Sequence, residues 1–151
     1  MQAVDLAIEG SGKPVCLHDS GSPYWPSFGV IERFPELRIV HVEADAGWLP
    51  YWLQRMEQHW GFSGNAEHPQ LKRSPAEYFK SSFLVACRAD ERTLPSVVEL
   101  VGDSYLTFNT DDPQPDGAWP AGLADLEHQP LSEESIRRIF RDNAAHLFDA
   151  A

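Results

Sequence analysis

Four short apolar runs, each leaving through polar residues, set the frame of this chain. They are KPVCLHD (13–19), LRIVHV (37–42), FLVAC (83–87) and SYLTFN (104–109). Runs this short, rich in β-branched and aromatic residues, read as buried strands. Between them lie segments with helical spacing. One covers 28–34. Another follows Gly47, with Trp48, Leu49, Trp52, Leu53 and Met56 on one side and Gln54, Arg55, Glu57 and Gln58 on the other. Ser74-Pro75-Ala76-Glu77 has the form of an N-cap, a first-turn proline and an N3 glutamate. The segment 91–101 carries Leu94, Val97, Val98 and Val101 on one side. Ser132 with Glu134 and Ser135 opens a last helix striped with Ile136, Ile139, Phe140, Ala144 and Leu147. Residues 1–10 read as the tail of a helix stopped by Gly10 and Gly12, and 61–74 as a loop. Strands that alternate with helices imply a parallel sheet joined by right-handed crossovers.

A parallel α/β sheet places its chemistry at the C-terminal ends of its strands. Those ends are informative here. The first run leaves through His18 and Asp19, the second through Glu43 and Asp45, the third through Arg88 and Asp90, and the fourth through Asp111 and Asp112. Asp111 is an acid at a strand end, or an ordinary loop acid capping the next helix. His18 offers an imidazole suited to zinc, or is a hydrogen-bonded loop histidine. Glu43 is a second acid at a strand end, or a salt-bridged one. In a regular strand His41 would share a face with Glu43 as an H-x-E pair, although a packed strand histidine is the plainer reading. Arg88 can grip a substrate carboxylate through its planar fork, or pair with Asp90 or Glu91. Trp48, Trp52 and Trp60 read as core, with Trp48 also a candidate substrate contact.

With 151 residues, 42% of them hydrophobic, the chain suits one domain spanning 1–151. Its formal net charge of −11 makes nucleic acid and anionic membranes poor partners. No stretch approaches the roughly 18 uninterrupted apolar residues of a membrane span. MQAVDLAIEGSGKP lacks the apolar centre of a secretory leader. Cys16 and Cys87 sit in apolar runs without metal-like spacing, so buried reduced thiols and a cytoplasmic location are expected.

Several of these segments resemble, in order, the amidohydrolase-related metal-dependent hydrolases and decarboxylases. The fourth run and its exit, Phe108 to Gln114, are similar to the last barrel strand of that family. Its pattern is two apolar residues, a small residue, Ser or Thr, Asp, an aromatic, Pro and His. Asp111 fills the aspartate position; Asp112 and Gln114 stand in place of the aromatic and the histidine. GVIERFPELRIVHVEADAGWLPYWLQRMEQHW resembles the sixth strand and its helices. LKRSPAEYF resembles the approach to strand seven, ADERTLPSVVELVGDSYLTFNTDDP helix seven and strand eight, and IRRIFRDNAAHLF the closing helix.

The resemblance implies the second half of a TIM-type (β/α)8 barrel, strands five to eight. A full barrel takes typically about 250 residues. Four strands in an open arc would expose two edges and an inner face, so self-association that completes a barrel is expected if the half stands alone. The resemblance also implies a divalent metal, zinc or manganese, held by His18, Glu43 and Asp111, with Asp111 moving the proton. Arg88 and Trp48 would meet a small organic substrate in hydrolysis or decarboxylation. The family's H-x-H pair of metal ligands does not occur: His18, His41, His59, His68, His128 and His146 are all isolated. The alternative reading is a non-catalytic α/β binding module, or a truncated relic.

Overall fold

The computed structural model describes residues 15–19, 29–64, 66, 69, 71–113, 117 and 120–147, with 15–19 and 123 described by their backbone. The expected helical tail at 1–10, Gln114, and the side chains of Cys16, His18 and Asp19 lie outside the described residues. Four strands form one sheet: β1 (Val15–Asp19), β2 (Arg38–Val42), β3 (Phe83–Cys87) and β4 (Leu106–Phe108), in the spatial order β1-β2-β3-β4. All three pairings are parallel. The alternation read from the sequence therefore holds. β4 is assigned shorter than the run that encodes it, yet its hydrogen bonds reach further. Val85 donates to the Tyr105 carbonyl at 2.8 Å and Asn109 to the Cys87 carbonyl at 3.1 Å.

The two faces of the sheet divide by strand periodicity. Ile39, Phe83, Val85, Cys87 and Leu106 belong to the main core, where they meet Leu49, Leu53, Tyr78, Phe79, Leu94 and Val97 from the covering helices. Val40 and Leu84 belong to the other face. That face was expected to lie open. Instead Val40, Leu84, Ala86 and Thr107 are all buried, and Leu147, from the last of the described helices, packs onto Val40 and Leu84. Buried on both faces, β3 reads as an uninterrupted apolar run, as a central parallel strand does.

Each connecting helix follows from local chemistry. The Leu49–His59 helix buries Leu49, Leu53 and Met56 and leaves Gln54, Arg55, Glu57 and Gln58 outside. It runs on into a π-helical turn, Trp60–Gly64, where a loop was expected. That turn depends on Gly64, because a Cβ there would stand 2.2 Å from the Trp60 ring. The Pro75–Ser82 helix opens with the expected capping box. The Ser74 hydroxyl accepts from the Glu77 amide and the Glu77 carboxylate accepts from the Ser74 amide. The helix after β3 is Leu94–Val101, shorter than expected because Arg88 to Thr93 form turns instead. A helix that the strand spacing did not suggest, Ala121–Glu127, buries Leu126. The closing helix is interrupted: Glu133–Arg137, a π-helical turn Arg138–Asp142, and Asn143–Leu147. Its expected stripe is shared unequally, with Ile139 and Leu147 buried and Phe140 exposed, stacked on Phe108 at 5.3 Å. Among the described residues no helix is long and apolar enough to cross a membrane.

Two polar networks fix these layers. Tyr78, almost fully buried, donates to Glu32, whose carboxylate also meets Lys72 at 2.7 Å. The Lys72 and Arg73 amides donate to the Tyr78 hydroxyl in turn. Asp103, at the approach to β4, meets Arg138 at 3.1 Å, and Asn143 reaches the same turn.

Candidate functional site

Because the strands are parallel and paired side by side, their C-terminal ends share one rim. Glu43 is the first residue beyond β2, Arg88 the first beyond β3, and Asp111 the third beyond β4. The Cα of His18 is in register with that of His41, and Asp19 with Val42, so the end of β1 joins the same rim. The side chain of His18 lies outside the described residues.

The rim carries unusual backbone geometry. Among the described residues, the non-glycine positions with positive φ are Glu43 (60°), Asp45 (51°) and Asp111 (53°). For an L-residue the left-handed region costs roughly 1–2 kcal/mol, less for Asp and Asn, which can bond locally. Such geometry persists only where the surroundings fix it, and it clusters at ligand-binding turns. Asp111 is fixed by Asn109. The Asn109 side-chain amide donates to Asp111 Oδ1 at 2.5 Å, and the Asp111 amide donates back to Asn109 Oδ1 at 3.1 Å. Asp111 is half-buried, with its carboxylate held at the mouth of the sheet.

The turn after β2 is fixed from a neighbouring loop. Both carboxylate oxygens of Glu91 accept from the Ala46 amide, at 3.0 and 3.1 Å. The Thr93 hydroxyl donates to Glu91 Oε1 at 2.6 Å. Gln129 then ties the loop after β3 to the segment beyond β4, donating to the carbonyls of Ala89 at 2.7 Å and Glu91 at 3.3 Å. Sequence reasoning gave Glu91 only a possible pairing with Arg88 and overlooked Gln129. Both act over more than 35 residues of chain, and no local spacing announces that. Gly47 was the available signal. A Cβ there would stand 2.7 Å from the Thr93 hydroxyl and 3.2 Å from Glu91 Oε1, so a larger residue would force those side chains to shift.

The other candidates fall as follows. Arg88 is half-buried and its Nε meets Asp90 Oδ1 at 3.2 Å. Trp48 is pinned: its indole N–H donates to the Asp45 carbonyl at 2.9 Å, and its ring meets His41 edge-on at 5.7 Å. Trp52 and Trp60 are partly buried against the main core, as expected. His41 takes the plainer of its two readings, a packed strand histidine. It is 2% exposed and stacked near Phe83 and Phe79 on the helix-covered face. β2 ends at Val42 and Glu43 turns away with positive φ, which breaks the alternation. Cys87 is a buried free thiol pushed up to about 12, first by burial and then by the Glu91 charge. A thiol so disfavoured as thiolate is a poor nucleophile at neutral pH.

A divalent ion needs several converging donors. Among the described residues no three His, Cys, Asp or Glu side chains come together in that way. Glu43 and Asp111 supply oxygen donors of the right chemistry, but by themselves the described residues do not complete a metal site.

Comparisons with known proteins bear on this rim. A family model for amidohydrolases matches residues 28–150. A 2-amino-3-carboxymuconate-6-semialdehyde decarboxylase of Dictyostelium discoideum is 26% identical over 118 residues, which is 77% of this chain and 32% of that protein. An amidohydrolase of Mycobacterium avium subsp. paratuberculosis superposes with a TM-score of 0.67 at 27% identity, covering 82% of this chain and 31% of that one. The 5-carboxyvanillate decarboxylase of Sphingomonas paucimobilis gives 0.70 at 23% identity, over 85% of this chain and 38% of the other. A dihydroxybenzoic acid decarboxylase of Polaromonas, solved with manganese, gives 0.66 at 22%, over 84% and 38%. The chain thus spans about a third of the length of the relatives it matches.

Proposed function

Because the chain belongs to the amidohydrolase family, we propose that it supplies the strand-exit rim of a carboxy-lyase acting on a small aromatic or unsaturated carboxylic acid. On this reading β1 to β4 correspond to strands five to eight of a (β/α)8 barrel. The parallel order and the roughly threefold greater length of the relatives support that correspondence. The observation that carries the function is the convergence of the exits of all four strands, with Glu43, Arg88 and Asp111, on one edge of the sheet.

The chemistry asked of the rim is modest. As the bond between carbon and carboxylate breaks, its electron pair stays on the substrate carbon and CO2 leaves. A proton must then reach that carbon. Asp111, having taken a proton from solvent, delivers it and is left as the carboxylate, and general acid catalysis of this kind contributes typically about 10²–10⁴-fold. Arg88 orients the substrate carboxylate with its guanidinium, and Trp48 lines the approach. The divalent ion expected of the family, zinc or manganese, would lend electrostatic stabilisation to the developing negative charge. Glu43, Asp111 and His18 are the residues of this chain proposed to reach it. Pairing of both β1 and β4 with a further half-barrel, from a second copy or another segment, would close the sheet.

The test is CO2 release from 2,6-dihydroxybenzoate and 5-carboxyvanillate, with and without added manganese, by the wild-type chain and Asp111→Asn. Release that the substitution lowers about 100-fold or more supports the reading. No release by the wild type favours a second one, a non-catalytic module that binds a small acid. The tethering of Asp111 by Asn109 speaks for that alternative. It predicts calorimetrically detectable binding without turnover.

A further inference from the structure

We propose that Glu91 is a positioning residue: its carboxylate sets the turn from Glu43 to Ala46, and with it the place at which Glu43 leaves the rim. The inference rests on the reading of the strand exits as the functional site and extends it to a residue outside them. Glu43 and Asp45 both adopt left-handed backbone in a span of three residues. Within that turn the Asp45 carbonyl is held by Trp48, and the Ala46 carbonyl accepts from Leu49. Those ties anchor the turn to the helix that follows it. The Ala46 amide instead faces across to the loop after β3, where both oxygens of Glu91 receive it.

Three features mark this contact as built. Ala46 and Ala89, one on each loop, are 0% and 1% exposed, so the two loops are packed and not merely adjacent. Gly47 leaves the space that Thr93 and Glu91 need. Gln129 steadies the far side of the Glu91 loop through two backbone carbonyls. Glu91 also lies three residues beyond Arg88. A ligand that displaces the Arg88 loop therefore pulls on the anchor of the Glu43 turn, and the two rim loops respond as one body.

The experiment uses the full chain as wild type, Glu91→Ala, Glu91→Gln and Thr93→Val, the last a milder variant that removes only the orienting hydroxyl. Amide hydrogen exchange is read at Ala46 and, as an internal reference, at Val85 in the sheet. Glu91→Ala should raise exchange at Ala46 by about tenfold or more while Val85 is unchanged. Glu91→Gln, which keeps one carbonyl acceptor, should recover part of the protection. Equal acceleration at Ala46 and Val85, or none at Ala46, overturns the proposal. A second arm titrates 2,6-dihydroxybenzoate by calorimetry. If the wild type binds, Glu91→Ala should weaken binding by about tenfold and Glu91→Gln restore much of it. Unchanged affinity in Glu91→Ala would also overturn the proposal. If the wild type does not bind the probe, the functional reading fails, and the exchange arm still decides the role of Glu91.

Discussion

Asn143 holds two carbonyls with one amide nitrogen, those of Asp103 at 2.8 Å and Leu106 at 2.7 Å. The closing helix is thereby fastened to the turn that launches β4, the strand whose far end carries Asp111. Asn143→Ala would leave both part-buried carbonyls without that donor, a loss of about 1–3 kcal/mol. The melting temperature should fall by about 2–4 °C for each kcal/mol. Calorimetric melting checks this, and Asn143→Asp, which cannot donate from its side chain, should fare no better.

The Asn109–Asp111 pair predicts a local defect. Asn109→Ala removes both bonds that hold Asp111 in left-handed backbone. Stability should drop by about 1 kcal/mol, while any decarboxylase activity drops by far more. Asp111→Asn should lose activity without the loss of stability. Asparagine tolerates the same backbone, so its melting temperature should stay near wild type even as the proposed proton delivery is lost. Parallel melting and CO2-release measurements on the two variants separate the effects.

Acid sensitivity follows from Asp103 and Glu32. Burial alone would raise the pKa of Asp103, but hydrogen bonds from Ser135 and Arg138 outweigh it and hold the carboxyl below the ordinary aspartate value. Glu32 is lowered by Lys72 first and Tyr78 second, against a smaller opposing effect of burial. A carboxyl lowered by folding adds stability above its unfolded pKa and loses it as pH falls through the folded one. The melting temperature should therefore decline from about pH 4 downward. Asp103→Asn and Glu32→Gln should each melt lower at neutral pH and show a shallower acid decline.

Cys87 should be inert in the native state. With its thiol at about 12, the Cys87 peptide should stay unlabelled by iodoacetamide at pH 8 in the folded chain and react fully once denaturant is added. Mass spectrometry of the digested peptide reads both states. Rapid native labelling would show that β3 is less protected than its burial implies.

What the sequence disclosed followed the range of the forces involved. β3 was legible to the residue, because a strand buried on both sides must be apolar throughout. The Ser74 capping box was legible because its partners lie within one turn. His41 was legible as a packed strand histidine, but alternation does not carry past the end of β2 into a left-handed turn that no apolar pattern encodes. The π-helical turns escaped for a similar reason: 3.6-residue periodicity does not foresee where a helix widens, although Gly64 beneath Trp60 was a hint. The four strand exits emerged correctly on one rim because parallel topology dictates it. The Glu91 and Gln129 ties that hold the rim loops were invisible, since they join segments some 40 residues apart in sequence.

The left-handed geometry at Glu43, Asp45 and Asp111 also governs how this edge of the sheet can change. A library randomised at those three positions would be filtered by main-chain shape before any chemistry were selected. Glycine, asparagine and aspartate would pass, whereas valine, isoleucine and threonine would be culled. New specificities should therefore be sought at neighbours with ordinary dihedrals, Arg88 and Thr110 foremost, where a change of side chain does not also demand a change of path.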